Sequence, residues 1–245
     1  MIPKLKFDDL IERINQYLKQ PNEFQLRAIE RDAKALKQFD LAGAYLIFGI
    51  LAAIQGDLKA AILNHEHNLS LANTFENRFN YLTSLERLGQ LNKALEQADL
   101  LLISPTAEVL TKGIQLAIRA AQPNRAKAYY QKLLKLLPEL SEDKQTETDL
   151  TNTLQLFRET GLSDTELSEI NTMAQTVIAD FGATVNYTFT FMNQWESPYF
   201  VTTEFKVQGA DPVDMLFELA ERLAEKNPSA LQKGGYHVTF STVNT

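Results

Sequence analysis

The sequence predicts a mainly α-helical chain: an α-solenoid of helical hairpins, followed by a small α+β module. Three observations predict it. Hydrophobic residues make up 44% of the 245 residues, yet there are only ten Gly and eight Pro, too few for many short strands. A turn motif recurs at a period of about 33 residues between apolar helical stretches. After Gly182 the apolar period switches from helical spacing to strict alternation.

The elements follow in order. Residues 5–19 place Leu10, Ile14, Tyr17 and Leu18 on one helical face, and residues 23–38 do the same with Leu26, Ile29, Ala33 and Leu36. The repeats come next. Gly56-Asp57-Leu58-Lys59-Ala60-Ala61 aligns with Gly89-Gln90-Leu91-Asn92-Lys93-Ala94, and then with Ala121-Gln122-Pro123-Asn124-Arg125-Ala126. A Gly in the turn adopts a left-handed backbone at little cost, and an early Ala lets the two helices approach. One such hairpin cannot bury its apolar faces alone, so copies stack. Asn73 with Glu76, and Ser163 with Glu166, read as capping boxes. Residues 146–160 and 163–180 form a further helical pair around Gly161, either a fourth repeat or a cap.

On these residues, segment 42–138 resembles three tetratricopeptide repeats, at about 42–74, 75–106 and 107–138. The third carries Ala126, then Tyr130, then Pro138; the first carries Tyr45, Phe48-Gly49 and Ala52 before its turn. The copies are degenerate. His65 stands where an aliphatic or aromatic residue is usual, Asn73 replaces Pro, and Leu82 replaces the small residue at the helix crossing. The resemblance implies a concave surface lined by the first helix of each hairpin. In this register that wall presents Leu46, Ile50 and Ile54, then Phe79, Thr83 and Arg87, then Thr111, Gln115 and Arg119. Family members that clamp a peptide carboxylate use Lys and Asn there, which these residues do not match. The wall grades from apolar to Arg-bearing, suited to a segment with an apolar and an acidic end. Residues 1–38 are the competing occupant of the apolar end.

The C-terminal 183–245 reads β-β-α-β. Val185, Tyr187, Phe189 and Phe191 alternate with polar residues, as do Val201, Thr203, Phe205 and Val207, and later Tyr236, Val238 and Phe240. Asp211-Pro212 starts a helix whose expected apolar face is Val213, Leu216, Phe217, Ala220, Leu223 and Ala224. That helix is expected to cover a shared aromatic sheet face.

Charge divides unevenly. Residues 1–40 hold eight basic and seven acidic groups, residues 41–138 ten and seven, and residues 139–245 six and seventeen. The net charge of −11 in the last segment repels phosphate backbones, so the reading is no nucleic acid. The absence of cysteine excludes disulfides and thiolate chemistry. Residues 1–9 show no apolar export segment, and the longest nearly apolar run, Ala44 to Ile54, is too short for a bilayer. The expectation is a cytoplasmic chain with no membrane span.

Few constellations carry chemistry. His65 and His67 sit two apart, which on a helix points them away from one ion. His237, Glu204, Lys206, Thr188 and Asn186 fall on one polar sheet face, but without a nucleophile or paired carboxylates. Gly234-Gly235 precedes a strand and lacks the following Lys of a phosphate loop. Trp195, in the loop 193–198, is the interface candidate.

The domain reading is 1–180 helical repeat and 183–245 α+β. The functional reading is a non-enzymatic interaction or scaffold protein with a protein or peptide partner in its groove. It calls for no cofactor and no metal. Homodimerisation through the C-terminal sheet edge is an additional contact. The alternative is an inhibitor of the immunity or antitoxin kind, whose acidic third binds a basic partner.

Overall fold

A computed structural model describes residues 7–17, 22–139, 144–193, 200–226 and 235–242. Among these residues there are eleven helices and one three-stranded sheet. The chain opens with α1 (Phe7–Tyr17) and α2 (Glu23–Leu36). Three hairpins follow: α3 (Leu41–Ile54) with α4 (Leu58–Leu71), α5 (Phe75–Arg87) with α6 (Leu91–Leu101), and α7 (Ala107–Arg119) with α8 (Pro123–Leu136). Then come α9 (Lys144–Glu159), α10 (Asp164–Asp180), β1 (Thr184–Asn193), β2 (Phe200–Gln208), α11 (Pro212–Lys226) and β3 (Tyr236–Thr242). No helix among the described residues is long and apolar enough to cross a membrane.

Helix ends follow local chemistry. Asp40, Asp57, Thr74 and Thr106 each accept a backbone N–H of the first turn. Ser163 and Glu166 form the expected reciprocal capping box. The box expected at Asn73 and Glu76 is displaced by one residue: Thr74 is the cap and accepts from Asn77 N, while Asn73 instead accepts from Arg78.

The hairpins close through size complementarity at their crossings. A Cβ on Gly49 would meet the His65 ring, and one on Gly113 would meet the Tyr129 ring. Each crossing therefore pairs a residue without a side chain against a large ring. In the middle hairpin the corresponding positions are Leu82 and Ala98, both fully buried. The bulky residue at this pair of positions is on the second helix in the first hairpin and on the first helix in the middle one, and the departures at His65 and Leu82 both fall there.

The three hairpin turns form a row, and α10 with the start of β1 lies against it. Gly56, Gly89 and Ala121 all have a left-handed backbone, with φ of 78°, 68° and 54°. Gly56 abuts the Gly182 carbonyl, and Gly89 abuts Ile178 and Val185. Gln90 donates to the Gln175 carbonyl at 2.8 Å, and Asn92 N donates to Gln175 Oε1 at 3.0 Å. Asn171 Nδ2 donates to the Arg119 carbonyl and to the Tyr236 hydroxyl, each at 3.0 Å. The Tyr236 hydroxyl donates to Thr203 Oγ1 on the central strand. Helix α10 thus does not extend the stack as a fourth hairpin; it seams the turns to the sheet, packing on α11 and β3.

Two main clusters make up the core. One joins α1, α2 and α3 through Leu10, Ile14, Ile29, Ile47 and Leu51. The other runs without a break from Tyr81 in α5 to Phe240 in β3, across the expected boundary at 180–183.

The sheet has order β1-β2-β3, with β1 antiparallel and β3 parallel to the central β2. A bulge between Val185 and Tyr187 reverses the facing of β1 beyond it. Val185 is buried as expected, but Tyr187, Phe189 and Phe191 are exposed while Thr188 is buried. The aromatic residues of β1 therefore lie on the outer face, not under the helix. The buried face is Val201, Thr203, Phe205 and Val207 with Tyr236, Val238 and Phe240. Helix α11 buries Met215, Leu219 and Leu223, one residue in common with the expected face. Val213, Leu216 and Phe217 are exposed, Phe217 at 69%. Two apolar faces compete on this helix, and the i, i+4, i+8 row of Met215, Leu219 and Leu223 wins.

The turn row yields a test by urea unfolding. Gly161 also has φ of 68°, but an added Cβ there meets nothing within 4 Å. Gly161→Ala is expected to cost about 1 kcal/mol from backbone strain alone. Gly56→Ala is expected to cost about 3 kcal/mol or more, because its Cβ would land on the Gly182 carbonyl oxygen.

Candidate functional site

The first helices of the hairpins, α3, α5 and α7, form one side of a cavity of about 410 Å³. Two further elements complete it: α1, within the segment 1–38 expected to compete for the apolar end, and β1, which the sequence did not join to this wall. Helix α1 contributes Ile11, Ile14 and Asn15, and β1 contributes Val185 to Thr188. The concave face is thus partly enclosed from both ends of the chain.

Five of the nine expected groove residues converge on this cavity: Ile50, Ile54, Thr83, Arg87 and Arg119. The other four do not line it. Leu46 is 2% exposed and offers no surface to a partner, a correction to the groove reading. Its face of α3 turns inward, because α3 is apolar on nearly all sides and is packed by α1, α2, α4 and α5. Phe79 is half-buried and stacks on Phe75 with ring centroids 5.9 Å apart. Thr111 and Gln115 are exposed on α7 beyond the cavity. Trp195 lies outside the described residues, as do Gly234 and most of the loop around Trp195.

The cavity has two kinds of wall. The side from α1 and α3 is almost wholly aliphatic: Ile11, Ile14, Ile50, Ala53 and Ile54. The side from α5, α7 and β1 carries Asn80, Thr83, Ser84, Glu86, Arg87, Arg119, Asn186 and Thr188. Thr83 turns its hydroxyl back to the Phe79 carbonyl, and the Asn80 amide does the same to the Glu76 carbonyl. Glu86 is held by two cations of α7, Arg119 at 2.6 Å and Lys112. Its charge is therefore spent on neighbours of the next hairpin. Arg87 differs: among the described residues it makes no ion pair and no side-chain hydrogen bond, and its Nε is buried without a partner. Burial pulls its pKa below the usual guanidinium range. The charges lining the cavity sum to one net positive, with Arg87 the uncompensated one.

Behind the cavity lies His65. It is fully buried, its Nε2 is 2.8 Å from Ser84 Oγ, and its ring stacks on Tyr81 at 4.9 Å. Its neighbour His67 is exposed and meets Tyr45 edge-on. The two rings point apart, as the helical spacing requires. Burial drives the His65 pKa down to about 3.

The polar sheet face is not the set expected. Glu204, Lys206 and His237 do face outward, but the β1 bulge removes Thr188 to the buried side. Glu204 pairs with Lys206 at 2.8 Å and accepts from Ser241 Oγ at 2.6 Å. Burial works against the Glu204 charge, but these two bonds outweigh it and hold the carboxyl below its usual range. Partial burial lowers the His237 pKa.

The chain matches no family model, no curated protein and no solved structure.

His65 gives a pH test. Its proton affinity is depressed in the folded state, so the unfolded chain binds the extra proton between about pH 6.5 and 3. Stability contributed by neutral His65 is present above pH 6.5 and is lost as pH falls through that window. Between pH 7.5 and 5 the loss is expected to be about 2 kcal/mol. Urea unfolding at the two pH values should show this slope in the wild type and its loss in His65→Gln.

Proposed function

We propose that this chain is a non-catalytic binding or scaffold protein, built on degenerate tetratricopeptide-type hairpins, whose concave face holds a segment of a protein or peptide partner. One observation carries the reading. Ile50, Ile54, Thr83, Arg87 and Arg119, from three successive hairpins, converge on one partly enclosed space, while Thr111 and Gln115 stay exposed on α7 beyond it. A partner segment lying over α5 and α7 would cross Thr83, Thr111 and Gln115 and reach into the cavity. An aliphatic wall beside an uncompensated cation suits a segment carrying both apolar and acidic character.

A second reading rests on the acidic third. The exposed stripe Val213, Leu216 and Phe217 on α11 is bordered by Asp214, Glu221 and Glu225. That stripe favours a basic amphipathic partner, as an immunity- or antitoxin-like inhibitor would have.

Affinity capture followed by mass spectrometry separates the two. It should compare the wild type, a Thr111→Glu/Gln115→Glu variant and a Phe217→Glu variant. The concave-face reading expects partners to be lost at least tenfold from the first variant and kept by the second. The reverse pattern, with capture lost on raising salt, overturns it in favour of the acidic surface.

A further inference from the structure

We propose that the partly enclosed cavity is a site for a compact aliphatic carboxylate, its anionic end on Arg87 and its hydrocarbon body against Ile11, Ile50 and Ile54. The proposal deepens the concave-face reading by naming what the inner end of that face takes.

Three observations carry it. The first is the charge at the site. Arg87 is the cation of the cavity wall whose side chain has neither ion pair nor hydrogen bond among the described residues, with Nε out of reach of water. Its half-buried guanidinium gains a charge-assisted bond, and its buried Nε a partner, when an anion completes it. Its acidic neighbour Glu86 is already engaged by Lys112 and Arg119, so nothing on the wall competes for Arg87. The second is the form of the anion. A planar monoanion matches one guanidinium fork, accepting two parallel bonds. A phosphate dianion would bring a second, strongly hydrated charge against the aliphatic wall, and so fits worse. The third is size. About 410 Å³ is at the small end of ligand sites, and the isoleucines come from α1 and α3 while most polar residues come from α5, α7 and β1. An amphipathic ligand with one charged end and one short apolar body fills both halves.

The same chemistry comes from two sources, a free organic acid or the end of a peptide chain with an aliphatic last residue. The two are separable on purified full-length protein by calorimetry. The titrants are 4-methylpentanoate, 4-methylpentanamide, acetyl-Ala-Leu as free acid, the same peptide as amide, and inorganic phosphate. Saturable binding of 4-methylpentanoate, at least tenfold tighter than its amide, is the expected result and assigns a free acid. The same preference shown by the peptide acid alone assigns a chain end. Equal binding of acid and amide, tighter binding of phosphate, or no binding of either acid overturns the proposal.

Arg87→Met and Arg87→Lys supply the second readout. Arg87→Met is expected to abolish acid binding while the unliganded midpoint in thermal unfolding stays level or rises, because a half-buried, unpaired charge is gone. Arg87→Lys should retain acid selectivity with at least tenfold weaker binding. If Arg87→Met lowers the unliganded midpoint and leaves acid binding intact, Arg87 is structural and the proposal falls. Loss of partner capture in the Thr111→Glu/Gln115→Glu variant is read separately. Capture without acid binding sinks only the carboxylate site, and acid binding without capture sinks only the segment.

Discussion

The structure depends on a buried polar seam along α10. Asn171 and Gln175 are almost fully buried, and their amides connect Gln90 and Asn92 of the second hairpin turn, the end of α7, and Tyr236 of β3. Gln175 Nε2 donates to Asn171 Oδ1 at 2.7 Å, so each amide finds partners on both its ends. Burial raises the Tyr236 pKa to about 12, which keeps it a neutral donor to Thr203. Apolar contact alone does not fix how a helix slides on its neighbours. A satisfied network of amides does, because any shift strands groups that water cannot reach. The seam sets the register between hairpin stack and sheet, and so fixes where β1 meets α5 and α7 to finish the cavity.

Much of the helical architecture was legible because its signals are local. The turn period marked three hairpins, and the faces of α1 and α2 were read correctly at Leu10, Ile14, Leu26, Ile29, Ala33 and Leu36. Ser163 and Glu166 announced their own helix start. The β-β-α-β order after Gly182 was also visible, since alternation and a capping Asp-Pro are short-range features. What failed was facing. One extra residue at the β1 bulge inverts Tyr187, Phe189 and Phe191, and nothing in an alternating run declares a bulge. On α11 the sequence offers two apolar rows, and only the neighbours α10 and β3 decide between them.

The cavity was half legible. Counting along the hairpins placed Ile50, Ile54, Thr83, Arg87 and Arg119 on one wall, because helical period and repeat period together define a surface. Leu46 was misplaced since α3 is apolar nearly all round and its sequence does not say which side is covered. The closing walls from α1 and β1 come from chain segments more than a hundred residues apart. No spacing rule links them: β1 is placed beside the α10 seam, whereas α1 is placed by its packing on α2 and α3. The solitary state of Arg87 is likewise a property of three-dimensional neighbours, since Glu86 stands next to it in sequence and yet is committed elsewhere.

The helix crossings differ between hairpins, with Gly49 against the His65 ring, Gly113 against the Tyr129 ring, and Leu82 and Ala98 both buried in the middle one, which gives each brick of the stack its own identity. Repeat arrays commonly grow and shrink by duplicating or deleting units, which requires units that are interchangeable. Here a unit copied into its neighbour's place would bring a ring against a methyl-sized gap cut for something else, or two bulky groups to the same point. The array is therefore locked at its present order and number, and change is confined to its outer surfaces and loops.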